Sequence, residues 1–441
     1  MNIEEEKKYR TAVKIVETLQ KYKYKAYFIG GIVRNMILGY KTKDIDIATS
    51  AKPDEIKNIF KTAKNIGISF GITSVLENKF SYDVATFRNE KNYLDGRHPE
   101  YLEYIDDPIV DVKRRDFTIN SIYYDPIENK ILDYVNGIDD IKNRIIRTVG
   151  NPMDRFEEDY LRMLRAIRFS SELNFKINDN IIKSIKKISH KIMSLPSDRI
   201  REELNKMFTS SHPDIAMQLL YDTDLMNHII PELSKTKGIN QPKKYHPEGD
   251  VFQHIKLMLK NMIIPNVILT WSIILHDIGK PETIKLKNGI EKFYFHADVG
   301  AKIANKILKR LDFSKKNIEK ITHIVKNHMK FAEITRMREG KVKKIMSLET
   351  FPIELELHRL DCMSSNGITE NFIHLLDLTI KQKCNNKLPD PLINGHDLLD
   401  IGFIKGPIIG KILDIVRENQ LDNILKTKEE AINFVKKLNL I

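Results

Sequence analysis

The chain has 441 residues, 41% of them hydrophobic and 30% charged. It is too long for one ordinary core, so roughly two to four domains are expected, and disordered and fibrous classes are excluded. Lys and Arg outnumber Asp and Glu by 72 to 60, a net charge of +12, which suits either solvated lysine-rich helix faces or a long polyanion held through its phosphates. The two cysteines, Cys362 and Cys384, have no paired spacing, and the start, MNIEEEKKYR, shows no signal-peptide pattern. The longest apolar run, MIIPNVILTWSIIL, is broken by Pro265 and Asn266. A cytoplasmic protein without disulfides or a membrane span is expected.

Residues 5 to 22 have helical periodicity and lead into an apolar strand, AYFIG. Gly30 and Gly31 open the next helical pattern, where backbone N–H groups can approach a triphosphate and Arg34 adds a charged donor. The strand pattern KDIDIAT places Asp44 and Asp46 on one face, with Ile45 and Ile47 packing behind. Two carboxylates aimed at one point repel unless a cation lies between them. Hard oxygen donors with room for substrate phosphates favour Mg²⁺. The pair therefore suits metal-assisted phosphoryl transfer, the alternative being a surface turn with two solvated aspartates. Asp83, on the strand pattern SYDVATFR, is either a third carboxylate of this set or a capped strand end. SIYYDP is a further strand, and strand signals end near residue 148.

From NPMDRFEEDYLRMLRAIRF onward the periodicity is helical, interrupted at Pro196, Pro213, Pro231, Pro247, Pro265 and Pro281. One helix is predicted to carry Asp159, Arg162, Arg165 and Arg168 three residues apart, with Leu161, Leu164, Ile167 and Phe169 on its buried side. An exposed, salt-bridged face is one account of this stripe. A base reader is the other, because Arg162 donates and Asp159 accepts. Together they match the Watson–Crick edges of cytosine and adenine. Uracil and guanine present the inverse pattern and would leave buried groups unpaired, at about 1–3 kcal/mol per lost bond. Arg165 and Arg168 would then hold phosphates or a growing end.

The segments GGIVRNMILG, KDIDIAT, TFRNEKNYLDGRHPEYLEYIDD, VKRRDFTINS and EEDYLRMLRAIRFSSELNF occur in this order. Together they resemble the class II tRNA nucleotidyltransferase/poly(A) polymerase family, and most of all its bacterial CCA-adding members. The resemblance is close over roughly the first 210 residues and looser through PSDRIREEL, IIPELS and INGHDLL. It implies an α+β protein, with a small α/β nucleotidyltransferase head at 1–148 followed by an all-α neck at 149–210, body at 211–385 and tRNA-binding tail at 386–441. It also implies that Gly31, Arg34 and Arg115 bind the nucleotide and Asp44 and Asp46 hold Mg²⁺. Asp159 and Arg162 would read the base, with Arg165 and Arg168 beside them.

The implied reaction is addition of C, C and A to the 3′ end of tRNA from CTP and ATP, with pyrophosphate leaving. Poly(A) synthesis or A-only addition uses the same base reader, and DNA is not an expected partner. EKNYLDGRHP resembles the loop that CCA-adding members use when switching from C to A. Two positions depart from the family pattern: Asn35 stands where Asp is usual, and Ser121 where Ala is usual.

Later in the chain come His254, then His276 with Asp277, then His296, His328 and Asp361. This order resembles the HD superfamily of metal-dependent phosphohydrolases. The resemblance implies a second metal, and imidazole with carboxylate suits Mn, Ni, Zn or Fe. A phosphohydrolase acting on RNA ends, with the head as a docking module, is the function from a different class. A decayed scaffold with satisfied core histidines, or a nucleotide sensor without turnover, are the remaining alternatives.

Overall fold

The computed structural model describes residues 3–42, 44–67, 71–93, 99–242, 246–287, 290–384 and 389–438. Residues 94–98 of the expected switching loop lie outside the described residues, as do 243–245 of the lysine-rich segment and 385–388 ahead of the tail. The chain forms two compact units, Met1–Pro231 and Glu232–Ile441. The expected neck boundary at 210 lies inside the first of these.

The first unit opens with α1 (Ile3–Lys21), which buries Ala12, Ile15, Val16 and Leu19 at helical spacing. β1 (Ala26–Ile29), α2 (Gly31–Leu38), β2 (Asp46–Thr49), α3 (Pro53–Ile59), β3 (Lys64–Gly67), β4 (Ile72–Glu77) and β5 (Phe80–Thr86) follow. A separate antiparallel pair, β6 (Arg88–Tyr93) and β7 (Pro99–Tyr104), precedes α4 (Pro108–Lys113), β8 (Tyr123–Asp125) and β9 (Lys130–Leu132). Seven strands form one sheet in the order β3-β4-β5-β2-β1-β8-β9. All neighbours are antiparallel except β2 and β5, which run parallel with Asp46 opposite Asp83. Ile29, Ala48, Phe87, Val112, Tyr123 and Val149 close a core against the sheet.

Two expectations about the strands need correction. β2 begins at Asp46, so Asp44 precedes the strand instead of sharing its pleat. The reason is register: Ile29 is the last residue of β1 and pairs with Asp46. Beyond it the chain turns at Gly30 (φ 82°) into α2, so β1 offers no partner to the residues before Asp46.

Helices then dominate. α5 (Gly137–Lys142) leads to β10 (Ile145–Ile146), α6 (Pro152–Glu158), α7 (Leu161–Leu173), β11 (Lys176–Ile177), α8 (Asp179–Ile188), α9 (Ser197–Phe208), α10 (Pro213–Asp222) and α11 (Leu225–Ile229). α7 packs on α9 and α10. Met163, Leu164, Ala166 and Ile167 are fully buried there, the larger ones stabilising by about 2 kcal/mol each. The single helix expected through Asp159 is in fact two. Asp159 is extended (φ −150°, ψ 105°), and its Oδ1 accepts from the Leu161 N–H at 2.9 Å. Aspartate is favoured at such a helix start because it satisfies an otherwise orphan donor.

The second unit is reached through α12 (Pro231–Ser234) and contains α13 (Val251–Asn261), α14 (Val267–Leu275) and α15 (Lys280–Thr283). The strands β12 (Ile284–Lys287) and β13 (Ile290–Phe293) form an antiparallel hairpin. Strands therefore do not end where the strand signals end near 148, and β10 and β11 also pair. Such two- to four-residue ladders are too short for alternation to reveal. α16 (His296–Arg310), α17 (Lys315–Asn327), α18 (Glu339–Met346), α19 (Phe351–Ser364) and α20 (Glu370–Cys384) complete the larger part. α21 (Gly395–Asp400), α22 (Pro407–Leu421) and α23 (Lys428–Lys437) surround Leu398, Ile412, Val416, Ala431 and Val435. Among the described residues, no helix is long and apolar enough to cross a membrane.

Candidate active site

A cleft of about 410 Å³ opens in the first unit, lined by Gly30, Gly31, Arg34, Asn35, Asp44, Asp46, Arg115 and Asn120 from the sheet side. Arg165, Arg168, Phe169 and Glu172 of α7 form another part of its wall. Asp46 is pushed up to about 6, first by burial and then by the neighbouring Asp83 and Asp44 carboxylates. Asp83 is also raised, by burial and by Asp44. Asp44 is 91% exposed at its side chain and has Lys8 Nζ at 3.6 Å. Three mutually repelling carboxylates beside an open cleft fit a divalent cation, whose charge removes the repulsion. A Cβ at Gly30 would lie 3.4 Å from Asp46 Oδ2, so the glycine turn lies directly against this acidic edge.

The cationic side is built with equal care. Arg34, 7% exposed, donates from Nη1 to Asn120 Oδ1 at 2.6 Å and from Nε and Nη2 to Asn35 Oδ1 at 3.1 and 3.0 Å. Asn35 thus orients Arg34, a role that either carboxamide or carboxylate oxygen can fill. Arg115 is aimed by Asp111, which accepts from Arg115 Nε and Nη2 at 3.0 and 2.8 Å. The same buried carboxylate accepts from Arg114 Nη2 at 2.7 Å and the Tyr123 hydroxyl at 2.6 Å. Burial opposes the charge on Asp111, yet Arg115 and Arg114 outweigh it and hold the carboxyl well below the usual range. Arg165 pairs with Asp116 at 2.6 Å, and Arg168 Nε with Glu203 at 2.8 Å. The Arg34, Arg165 and Arg168 guanidiniums all lie within 5.5 Å of the Phe169 ring centre.

Asp159 and Arg162 stand apart from this cleft. Asp159 lines an adjoining pocket of about 270 Å³ with Arg165, Arg199, Glu202, Glu203 and Lys206. Arg162, 9% exposed, donates to the Arg155 and Arg114 carbonyls at 3.1 and 2.9 Å and to Glu158 at 2.6 Å. Those partners fix its guanidinium plane. Asp111, Asp116, Asn120 and Glu172 are site residues that the sequence reading did not single out. For Asp111 a signal existed, since it precedes Arg114 and Arg115 by three and four residues on one helical turn.

In the second unit the six His and Asp residues converge. His276 Nε2 lies 3.2 Å from Asp277 Oδ2, and His296 and His328 Nε2 lie 3.4 and 3.8 Å from Asp277 Oδ1. His254 Nε2 is 3.1 Å from Asp361 Oδ1, without the alignment of a hydrogen bond. Each imidazole has an oxygen acceptor at Nδ1. These are Glu248 Oε1 for His254 (2.6 Å), Ile273 O for His276 (2.8 Å), Phe293 O for His296 (2.9 Å) and Val325 O for His328 (2.7 Å). With Nδ1 protonated, a neutral imidazole at each of these positions presents its Nε2 lone pair inward. His296 and His328 Nε2 face each other at 3.2 Å, an arrangement of acceptors that calls for a cation.

Burial, with the positive field of His276 added, pushes His328 down to about 3. His254 instead rises to about 9, because Asp361 and Glu248 outweigh its burial. Gly279 lets this centre close: a Cβ there would lie 2.2 Å from the His296 carbonyl oxygen.

Comparison with known proteins agrees with the fold. Residues 26–147 match the Poly A polymerase head domain, residues 174–236 the probable RNA and SrmB-binding site of polymerase A, and residues 286–435 tRNA nucleotidyltransferase domain 2 (putative). The CCA-adding enzyme of Ligilactobacillus salivarius is 32% identical over 98% of this chain and 96% of its own length. That of Staphylococcus epidermidis is 30% identical over 97% of each chain. The crystal structure of the Bacillus stearothermophilus CCA-adding enzyme with CTP has the same fold, with a TM-score of 0.70 at 23% identity over 98% and 97% of the two chains. The Thermotoga maritima enzyme with tRNA gives 0.57 at 20% identity over 97% and 94%.

Fold and site together define a template-independent nucleotidyltransferase with a poly(A) polymerase-type head. Within that class, the chain belongs to the CCA-adding enzyme family.

Proposed function

We propose that the protein adds C, C and A to the 3′ end of tRNA from CTP and ATP, releasing pyrophosphate, with Mg²⁺ as the divalent ion. The observation that carries this is the cleft in which Asp44 and Asp46, with Asp83 paired beside Asp46, face Arg34, Arg115, Arg165 and Arg168, in a chain related to CCA-adding enzymes along its whole length. Asp44 and Asp46 would hold the ion, which neutralises triphosphate charge and eases ionisation of the attacking 3′-hydroxyl. Arg34 and Arg115, already oriented by Asn35, Asn120 and Asp111, donate to phosphate oxygens without paying reorganisation at that moment. Gly30 and Gly31 let backbone approach the triphosphate at the start of α2.

Asp159 and Arg162 read the base, Arg162 donating and Asp159 accepting, which admits C and A. The fixed plane of Arg162 supports this role, since discrimination needs a donor that does not swing to suit a wrong base. Arg165 and Arg168 steady the growing end, and the basic helical remainder grips the tRNA. The protein acts in the cytoplasm, where its cysteines remain reduced.

The test is addition to tRNA transcripts ending before CCA, after C and after CC, with labelled CTP or ATP. Extension of all three is expected. ATP use only after CC would reassign the protein to A addition, and long A tails would reassign it to poly(A) synthesis. Binding of tRNA should weaken steeply as salt rises, because phosphate contacts release counterions.

A second reading concerns the body. Four imidazoles with inward lone pairs and two carboxylates favour a transition metal (Mn, Ni, Zn or Fe) held by His254, His276, Asp277, His296, His328 and Asp361. Hydrolysis of a phosphoester at RNA ends is the chemistry such a centre supports.

A further inference from the structure

The four histidines of the body centre are not oriented alike. His276 is at the C-terminal end of α14, His296 at the start of α16 and His328 at the C-terminal end of α17. Each donates its Nδ1–H to the carbonyl three residues earlier: Ile273, Phe293 and Val325. The Ile273 and Val325 carbonyls lie in the last turns of their helices, where carbonyls lack a full set of intrahelical partners, and Phe293 is the last residue of β13. His254 lies within α13, where its own N–H already bonds Asp250 O and the nearby carbonyls belong to the helix ladder. No backbone acceptor can do for His254 what the chain does for the other three.

A side chain does it instead. Glu248, in the turn before α13, accepts from His254 Nδ1 at 2.6 Å through Oε1. The same oxygen accepts from His246 Nδ1 at 2.9 Å, and the His246 and His254 rings pack edge to face at 5.1 Å between centroids. Glu248 is 8% exposed at its side chain, and Oε2 is buried without a hydrogen-bond partner. A buried carboxylate carries a desolvation cost, so its position against a fully buried histidine points to a purpose. On the far side, His254 Nε2 is itself buried without a hydrogen-bond partner and lies beside Asp361.

We propose that Glu248 is a positioning residue for the body metal, holding His254 in the tautomer and orientation that present Nε2 to the centre, with His246 as its brace. This rests on the reading that the centre takes a transition metal. A carboxylate acceptor differs from the three carbonyls in one further way: it carries full negative charge and makes the opposite nitrogen a more basic ligand. Glu248 thus contributes negative charge behind a ligand, in contrast to Lys280, whose ammonium pairs with Asp277 at 2.6 Å.

The experiment is calorimetric titration of the full chain with Zn²⁺, in excess Mg²⁺ to saturate the head, for the unmodified protein, Glu248→Gln and Asp277→Asn. Glu248→Gln should bind Zn²⁺ about 10- to 100-fold more weakly, with CCA addition unchanged, while Asp277→Asn loses the site. Unchanged affinity in Glu248→Gln alongside loss in Asp277→Asn overturns the role of Glu248 alone. Equal, weak binding by the unmodified protein and Asp277→Asn overturns the metal reading and the role together. Nitrogen-15 NMR of the Zn²⁺-loaded unmodified protein gives a check independent of any variant's folding. His254 should show a protonated Nδ1 and a ligated Nε2, and the reverse pattern overturns the proposal.

Discussion

The acidic edge of the head and the histidine centre of the body are both suited to metals, yet they are built on opposite plans. The head presents oxygen donors at the rim of an open cleft, with Asp44 91% exposed and the cations that face it held back by their own carboxylates. The body closes nitrogen donors into a buried cluster, each aligned by an acceptor behind it. A site that shares its ion with a triphosphate must leave coordination positions to the substrate, so it stays incomplete until substrate arrives. A site whose ligands all come from the chain can be preset. The two plans predict different responses to substitution.

The largest effect is expected at the acidic edge. Asp46→Ala should lower the rate of C and A addition by about a thousandfold or more, measured with tRNA transcripts, while Zn²⁺ binding to the body is unchanged. If addition survives, the edge is not the metal-holding element.

Next in size is Asp111, which holds Arg114, Arg115 and Tyr123 together. Asp111→Asn leaves two guanidiniums poorly compensated, and a loss of about 3–5 kcal/mol of head stability is expected at neutral pH. Because its folded-state pKa is depressed, this stabilisation is present above the unfolded value near 4 and is lost as pH falls through the lower folded value. Denaturant melts of the two proteins should therefore converge as pH drops below about 4. A gap that stays constant with pH would show that the ionised carboxylate is not what stabilises.

Base selection comes third. Arg162→Ala or Asp159→Ala should reduce discrimination of CTP and ATP against UTP and GTP by about 10- to 100-fold, read as ratios of kcat/KM. Unchanged ratios would assign both residues to scaffolding.

The smallest effect is expected at Asn35, whose Oδ1 accepts two bonds from Arg34. Asn35→Asp keeps that acceptor and should change addition by less than about threefold, whereas Asn35→Ala should raise the KM for nucleotide about tenfold. A large gain in Asn35→Asp would mean that a carboxylate there serves the metal instead.

Much of this was visible in the sequence, for physical reasons that differ by region. The pairing of Asp44 with Asp46 depends on spacing alone, and the spacing was enough to nominate the site even though Asp44 falls just outside β2. The His and Asp set of the body was nominated by order, and the fold brings all six together. What escaped depends on contacts distant in sequence. Asp83 became firm as a neighbour only through the parallel register of β2 with β5. Asn120 reaches Arg34 across 86 positions. The break at Asp159 was hidden because apolar residues on both sides keep helical spacing, although an aspartate before a helix is itself a start signal. Glu248 was not singled out, because nothing local shows that the histidine six places on lacks a backbone acceptor.

The most direct test of the division of labour is a two-by-two measurement on Asp46→Ala and His276→Ala, each confirmed folded by its melting curve, scoring CCA addition and stoichiometric Zn²⁺ binding. Asp46→Ala should abolish addition and keep the body metal, and His276→Ala should keep addition and lose it. Loss of addition in folded His276→Ala, or its survival in Asp46→Ala, would contradict the account.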